Sequence, residues 1–208
     1  IHHRLVGSEM CIRDRPLKLI DQPFRDEIPI YLAAVGLKNV EMTAEIADGW
    51  LPFMYSPLKG EEIYKDYLKN GFDKSGVPDK KDKFEIVTTV IGRVCEEEEV
   101  DEYLYPARNV YTLYVGGMGA KSKNFYYNLF CEYGYADIAD ELQNLYLSGN
   151  KKESEKMFPK ELLEELTLVG TKKDIEKKIE KWKESNVTEI SLSLPIDFDT
   201  VKFIKELL

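Results

Sequence analysis

Pro29-Ile30-Tyr31-Leu32-Ala33-Ala34-Val35 runs into Gly36, then into a mixed stretch from Asn39 to Ala47, then through Asp48-Gly49 into Trp50-Leu51-Pro52-Phe53-Met54. The first run is short, continuous and apolar, as in a strand buried on both faces. Gly36 breaks it. From Asn39 to Ala47 the residues Val40, Thr43, Ala44 and Ala47 share one helical face, and Asp48-Gly49 stops the helix. Trp50 to Met54 then predicts a second short strand. Strand, turn, helix and strand within about 25 residues form a β-α-β unit, whose crossover is right-handed by the general rule for parallel strands.

The same alternation continues toward the C-terminus. Glu61 to Asn70 predicts a helix closed by Gly71, Lys74 to Lys83 a polar loop, and Phe84 to Cys95 a long β-branched strand. Residues 97 to 166 hold no comparable strand and read as a helical insertion. Thr171-Lys172-Lys173-Asp174 resembles a capping box ahead of a stripe formed by Ile175, Ile179 and Trp182. Asn186 is expected to end that helix in a left-handed turn. Thr188 to Pro195 gives a further strand, and Val201, Ile204 and Leu208 face one way on a last helix. Strands alternating with helices mean an α/β fold with a parallel sheet, and about four strands are half of a (β/α)8 TIM barrel. Residues 16–208 are therefore expected to be the C-terminal portion of a single barrel domain.

Composition narrows the function. The chain has 208 residues with 38 Asp and Glu against 29 Lys and Arg, a formal charge of −9 that disfavours general attraction to nucleic acid or an anionic membrane. No apolar run reaches the roughly 18 to 20 residues of a membrane span, and no signal peptide pattern appears, so a cytoplasmic protein is expected. Cys11, Cys95 and Cys131 are odd in number and widely spaced, which points to reduced thiols rather than a disulfide framework or a zinc site. The two histidines, His2 and His3, both lie in the first fifteen residues. Schemes needing a histidine base or a histidine metal ligand are thereby excluded from the bulk of the chain.

Residues 1–15 lack helical or strand periodicity and carry three of the six arginines. The string Val6-Gly7-Ser8-Glu9-Met10-Cys11-Ile12-Arg13-Asp14-Arg15 resembles translated sequencing-adapter read-through, so this segment is expected to be non-native. A natural disordered tail is the alternative.

The stretch from Pro29 to Asn39, continuing through Ala47-Asp48-Gly49-Trp50-Leu51-Pro52, resembles the luciferase-like monooxygenase superfamily, most of all its deazaflavin-dependent branch. Tyr114 to Tyr126 and Leu168-Val169-Gly170-Thr171 are similar to that branch too. The resemblance implies an eight-stranded barrel that binds coenzyme F420, or alternatively FMN, at the C-terminal ends of its strands and moves hydride between the cofactor and a small organic substrate. It also implies that the first four strands, and a histidine near the cofactor, lie in a preceding half of roughly 150 residues, from the usual length of such barrels. The 208 residues alone are then expected to be inactive. Their uncovered edges and interior favour a homo-oligomer.

Candidate cofactor-binding residues follow from the first motif. Ala33, Ala34 and Gly36 lack bulk at the strand end, so the backbone of Ala34, Val35 and Gly36 can approach a phosphate beside a helix N-terminus; a tight barrel turn is the competing reading. Lys59 resembles a phosphate-contacting lysine of the family, in a loop about three residues longer here, and is otherwise a surface lysine. Lys121 and Lys123 could meet an anionic cofactor tail or be solvated. Gly116-Gly117-Met118-Gly119 lacks the spacing of a dinucleotide fingerprint. Trp50 reads as core and Glu96 to Glu99 as a solvated helix start. No catalytic residue and no metal site is assigned. A reading from another class is a non-catalytic, dimerising half-barrel that binds a phosphorylated ligand.

Overall fold

The computed structural model describes residues 24, 27–119, 123–193 and 197–208. Residues 1–15, with His2, His3 and Cys11, lie outside the described residues, as does Lys121. Strands β1 (Tyr31–Ala33), β2 (Gly49–Leu51), β3 (Glu85–Val94), β4 (Leu168–Gly170) and β5 (Glu189–Ser193) form one parallel sheet. β1 pairs with β2 and β2 with β3, so that Leu32, Trp50 and Ile86 stand in register. β3 pairs further with β5 along Val87 to Ile91 and with β4 at Gly92 to Val94. The sheet has one strand more than periodicity indicated, because the three residues of β4 are too few to display an alternation.

Helices return the chain between strands. α1 (Leu37–Ile46) links β1 to β2, and α2 (Gly60–Ser75) with the short α3 (Lys80–Lys83) links β2 to β3. The insertion between β3 and β4 is helical as expected: α4 (Val100–Gly117), α5 (Phe125–Phe130), α6 (Ala136–Leu147), α7 (Lys151–Met157) and α8 (Lys160–Glu165). α9 (Lys172–Glu184) and α10 (Phe198–Leu207) flank β5. This is the α/β barrel-portion architecture anticipated from the β-α-β unit. The core lies where α1 and α2 cover the sheet, with Val40, Ala44, Trp50, Leu68 and Val90 buried, and it runs on into the insertion through Tyr111, Phe130, Leu142 and Leu162. No helix among the described residues is long and apolar enough to cross a membrane.

Several local expectations change. Gly71 does not close a helix but lies inside α2, which runs to Ser75 and ends at Gly76 in the left-handed region (φ 65°). Gly71 is there because a Cβ would come 2.2 Å from the Glu41 carbonyl oxygen and 2.6 Å from Ala44 Cβ, so its bareness lets α1 and α2 pack closely. The second strand stops at Leu51 rather than Met54, and Met54 turns the chain out of the sheet with φ 58°. Asn186 is not left-handed. α9 ends through an extended Ser185, while the Asn186 side-chain oxygen accepts from the Tyr55 hydroxyl. On α10 only Ile204 of the expected stripe is buried, and Val201 (38 % exposed) and Leu208 (62 %) are not. Buried Thr200 takes their place by accepting a hydrogen bond from the Val94 N–H at 3.0 Å, which docks the helix on β3. The α9 cap is as read: Thr171 accepts from the Asp174 N–H, and its hydroxyl donates to the Asp174 carboxylate at 2.6 Å.

Candidate functional site

At the C-terminal end of β1 the chain passes through Ala34, Val35 and Gly36 into α1. Two carbonyls of this turn are held from the core. Trp50 Nε1 donates to Ala34 O at 2.8 Å, and the Tyr64 hydroxyl lies 3.5 Å from Val35 O. Burial pushes the Tyr64 phenol far above its ordinary pKa, so it stays a neutral donor. Gly36 is the N-cap of α1, with φ −63° and ψ 130°, a conformation open to any residue. An added Cβ would sit 2.9 Å from a ring carbon of Phe125, an exposed side chain that would have to move aside. No side chain caps α1; the Asn39 and Val40 N–H groups donate to Gly36 O at 2.8 and 3.0 Å, so Leu37 and Lys38 carry the N–H groups that the helix start leaves without an intrahelical acceptor. That end of the helix dipole favours an anion.

A cleft of about 530 Å³ opens at this turn. Val35, Gly36 and Leu37 form one side, Tyr67 of α2 another, and Phe125 and Asn128 of α5 a third. Lys38 also lines it, with its ammonium on Glu41 at 2.9 Å. The candidate residues Val35 and Gly36 thus face the cleft, whereas Ala34 is buried behind it and supplies the anchored carbonyl.

Lys59 lies in a neighbouring cleft of about 520 Å³ that shares Leu37, Ile63 and Glu132 with the first. Its ammonium donates to Tyr133 O at 2.5 Å and stands 5.5 Å from the centre of the Tyr135 ring. The loop that carries Lys59 is tightly built. The Tyr133 hydroxyl donates to Met54 O at 2.6 Å and accepts from Ser56 N at 3.1 Å. Ser56 Oγ accepts from the Leu58 and Lys59 N–H groups at 3.2 and 2.9 Å and donates to Glu165. Positive φ at a bulky residue such as Met54 costs conformational energy and persists only where its surroundings over-determine it.

Other candidates separate cleanly. Trp50 is fully buried core, packed edge-on against Tyr55 and Tyr64. Glu96 and Glu99 form a reciprocal capping box around the short 3-10 helix Glu97–Glu99, a solvated start as read. Lys123 is exposed. Cys95 is buried and Cys131 partly so, both unpaired, and burial raises both thiols above their ordinary pKa. No group of three metal-ligating side chains is found among the described residues.

The far wall of the cleft has little local signal in the sequence. Phe125 and Asn128 are placed there by Asn124, whose Oδ1 caps α5 by accepting from the Tyr126 and Tyr127 N–H groups. Its Nδ2 donates to Tyr114 O and Val115 O, each at 2.8 Å, tying α5 to the end of α4. The one available signal was the Lys123-Asn124-Phe125 string inside the second motif.

A parallel sheet wrapped by returning helices, with a cleft at a strand C-terminus beside an uncapped helix start, defines the barrel class of α/β enzyme folds. Within that class the chain belongs to the luciferase-like monooxygenase family, whose model matches residues 7–189. It is 35% identical over 189 residues to a Mycobacterium tuberculosis protein named as a putative coenzyme F420-dependent oxidoreductase, covering 90% of this chain and 54% of that one. It is 25% identical over 183 residues to 5,10-methylenetetrahydromethanopterin reductase of Archaeoglobus fulgidus, covering 86% of this chain and 52% of the reductase. The chain spans about half the length of these curated relatives. Two solved structures share the fold. The coenzyme F420 dependent tetrahydromethanopterin reductase from Methanopyrus kandleri superposes with a TM-score of 0.62 at 20% identity, over 86% of this chain and 48% of its own. An F420-dependent secondary alcohol dehydrogenase in complex with an F420-acetone adduct gives 0.57 at 16% identity, over 88% and 48%.

Proposed function

We propose that the chain is part of an F420-dependent oxidoreductase acting on a small organic substrate in the cytoplasm. The carrying observation is the cleft at the β1–α1 turn, where Gly36, with the Phe125 ring against it, opens onto an uncapped helix N-terminus. The oxidoreductase class is supported by the two relatives, one named as a putative coenzyme F420-dependent oxidoreductase and the other as a reductase.

The residues present fit an anionic cofactor. The Leu37 and Lys38 N–H groups at the start of α1 would take a phosphate, with the Lys38 ammonium, paired with Glu41, at the rim. Phe125 and Tyr67 would cover an apolar portion, and Asn128 would offer an amide to a polar one. The Trp50 and Tyr64 hydrogen bonds hold the turn rigid, which lowers the ordering cost of binding. Lys59 would act through Tyr133, as a strut for the β2–α2 loop. When bound, F420 supplies hydride donation or acceptance. The described residues contribute phenols, amides, Lys38 and Glu132 around the cleft and no histidine, and their proposed part is to bind and orient.

We further propose that these 208 residues do not turn over substrate alone and that they associate as a homo-oligomer. The β1 surface supports association: Ile28 and Ile30, just before the strand, are 73 % and 60 % exposed.

Fluorescence titration of the purified chain with F420, and separately with FMN, tests the cofactor. Saturable F420 binding weakened by Gly36→Ala is expected. Binding of FMN alone would replace the cofactor, and binding of neither would overturn the reading.

A further inference from the structure

The cofactor cleft does not end at the start of α1. Leu37, Ile63 and Glu132 line both it and the neighbouring cleft of about 520 Å³, so the two adjoin around that helix end. Lys59 and Glu62 complete the lining of the neighbour. Glu62 belongs to the first turn of α2, and Glu132 to the π-helical turn Cys131–Tyr135 between α5 and α6.

The two parts differ in charge. The first offers the free N–H groups of Leu37 and Lys38 and the Lys38 ammonium, which is paired with Glu41. The second sets a single cation, Lys59, against the carboxylates of Glu62 and Glu132. Lys59 keeps its charge, but its ammonium is turned to Tyr133 O at 2.5 Å. Glu62 and Glu132 are both exposed, and neither forms an ion pair among the described residues. A ligand that places a phosphate on the α1 start and extends past Leu37 into the second cleft therefore meets more negative charge than positive.

We propose, resting on the F420 reading of this site, that the paired clefts select among deazaflavin cofactors by charge, with Glu62 and Glu132 as the specificity-determining residues. F420 continues beyond its phosphate into a chain of glutamates, each of which adds a carboxylate. The α1 start takes the phosphate, and Glu62 and Glu132 disfavour the anionic chain beyond it. The form without glutamates is thereby the preferred ligand. Like charges a few ångströms apart at a wet surface weaken binding by about twofold to fivefold for each pair. Salt removes the effect, because the screening length falls from about 30 Å at 10 mM to about 3 Å at 1 M.

Fluorescence titration of the purified chain at 10 mM ionic strength compares the deazaflavin cofactor lacking glutamates with the form carrying five. The glutamate-free form is expected to bind at least about fivefold more tightly, with the ratio closing toward one at 1 M salt. Glu62→Gln combined with Glu132→Gln should remove most of the difference by raising the affinity of the long-tailed form. Circular dichroism and the thermal midpoint of that double variant should match the parent, since both side chains are exposed. Equal affinity for the two forms, or tighter binding of the long-tailed one, would overturn the proposal and leave the F420 reading standing. A preference that persists undiminished in the double variant would also overturn it, tracing the effect to the overall charge of −9. Binding of neither form would overturn both.

Discussion

The indole N–H of Trp50 in β2 donates to the carbonyl oxygen of Ala34 at the end of β1, 2.8 Å away, inside the core. A residue with no access to the cleft thereby sets where the cleft begins. Trp50→Phe keeps an aromatic ring but leaves a buried carbonyl without its donor. Such a loss costs about 1–3 kcal/mol, to be read as a lower urea midpoint, and cofactor affinity should fall with it as the 34–36 turn loosens.

Gly36→Ala should separate binding from folding. Its backbone angles suit alanine, so thermal stability is expected to hold, while the new methyl pushes the Phe125 ring into the cleft. F420 affinity should fall roughly tenfold, equivalent to about 1.4 kcal/mol. Phe125→Ala on the same background removes the collision. Affinity recovering in the double variant, relative to Phe125→Ala alone, would confirm that the ring transmits the effect.

Gly71→Ala makes the opposite case. The new Cβ meets backbone and an alanine methyl, neither of which can swing aside, so α1 and α2 must separate. Overpacking of this kind costs about 1–3 kcal/mol. Equilibrium denaturation should show the loss, and a variant as stable as the parent would refute the close-packing account.

Acid sensitivity should trace in part to Glu41. Its carboxylate is nearly inaccessible, hydrogen-bonded by Lys74 and by Lys38, and these partners hold its pKa below the ordinary carboxylate value in the folded protein. A carboxyl lowered on folding contributes stability that is complete above its unfolded pKa and is lost as pH falls through the folded one. The urea midpoint of the parent should therefore drop more steeply below about pH 4.5 than that of Glu41→Gln. Parallel pH profiles would show that the two ion pairs contribute nothing.

The β-α-β unit at residues 29–54 was legible because its signals are local. A continuous apolar run, a glycine break and a period of 3.6 all reflect which faces a single element buries. The α9 stripe of Ile175, Ile179 and Trp182 and its Thr171 cap were legible for the same reason. Legibility failed where a contact made elsewhere sets the outcome. Gly71 looks like a helix end until α1 is laid against it, and the stripe of Val201, Ile204 and Leu208 looks buried until Val94 N–H docks Thr200 in its place.

The site divides along the same line. Local sequence was enough to put Val35 and Gly36 at a strand end before a helix, because steric freedom and helix polarity are properties of those few residues. Only the tertiary structure decided that Phe125 roofs that turn and that Trp50 ties it down from below. It also decided that Lys59 donates to Tyr133 O, 74 positions along the chain. Such contacts depend on how the insertion between β3 and β4 folds back over the sheet, a long-range packing balance that no window of neighbouring residues encodes.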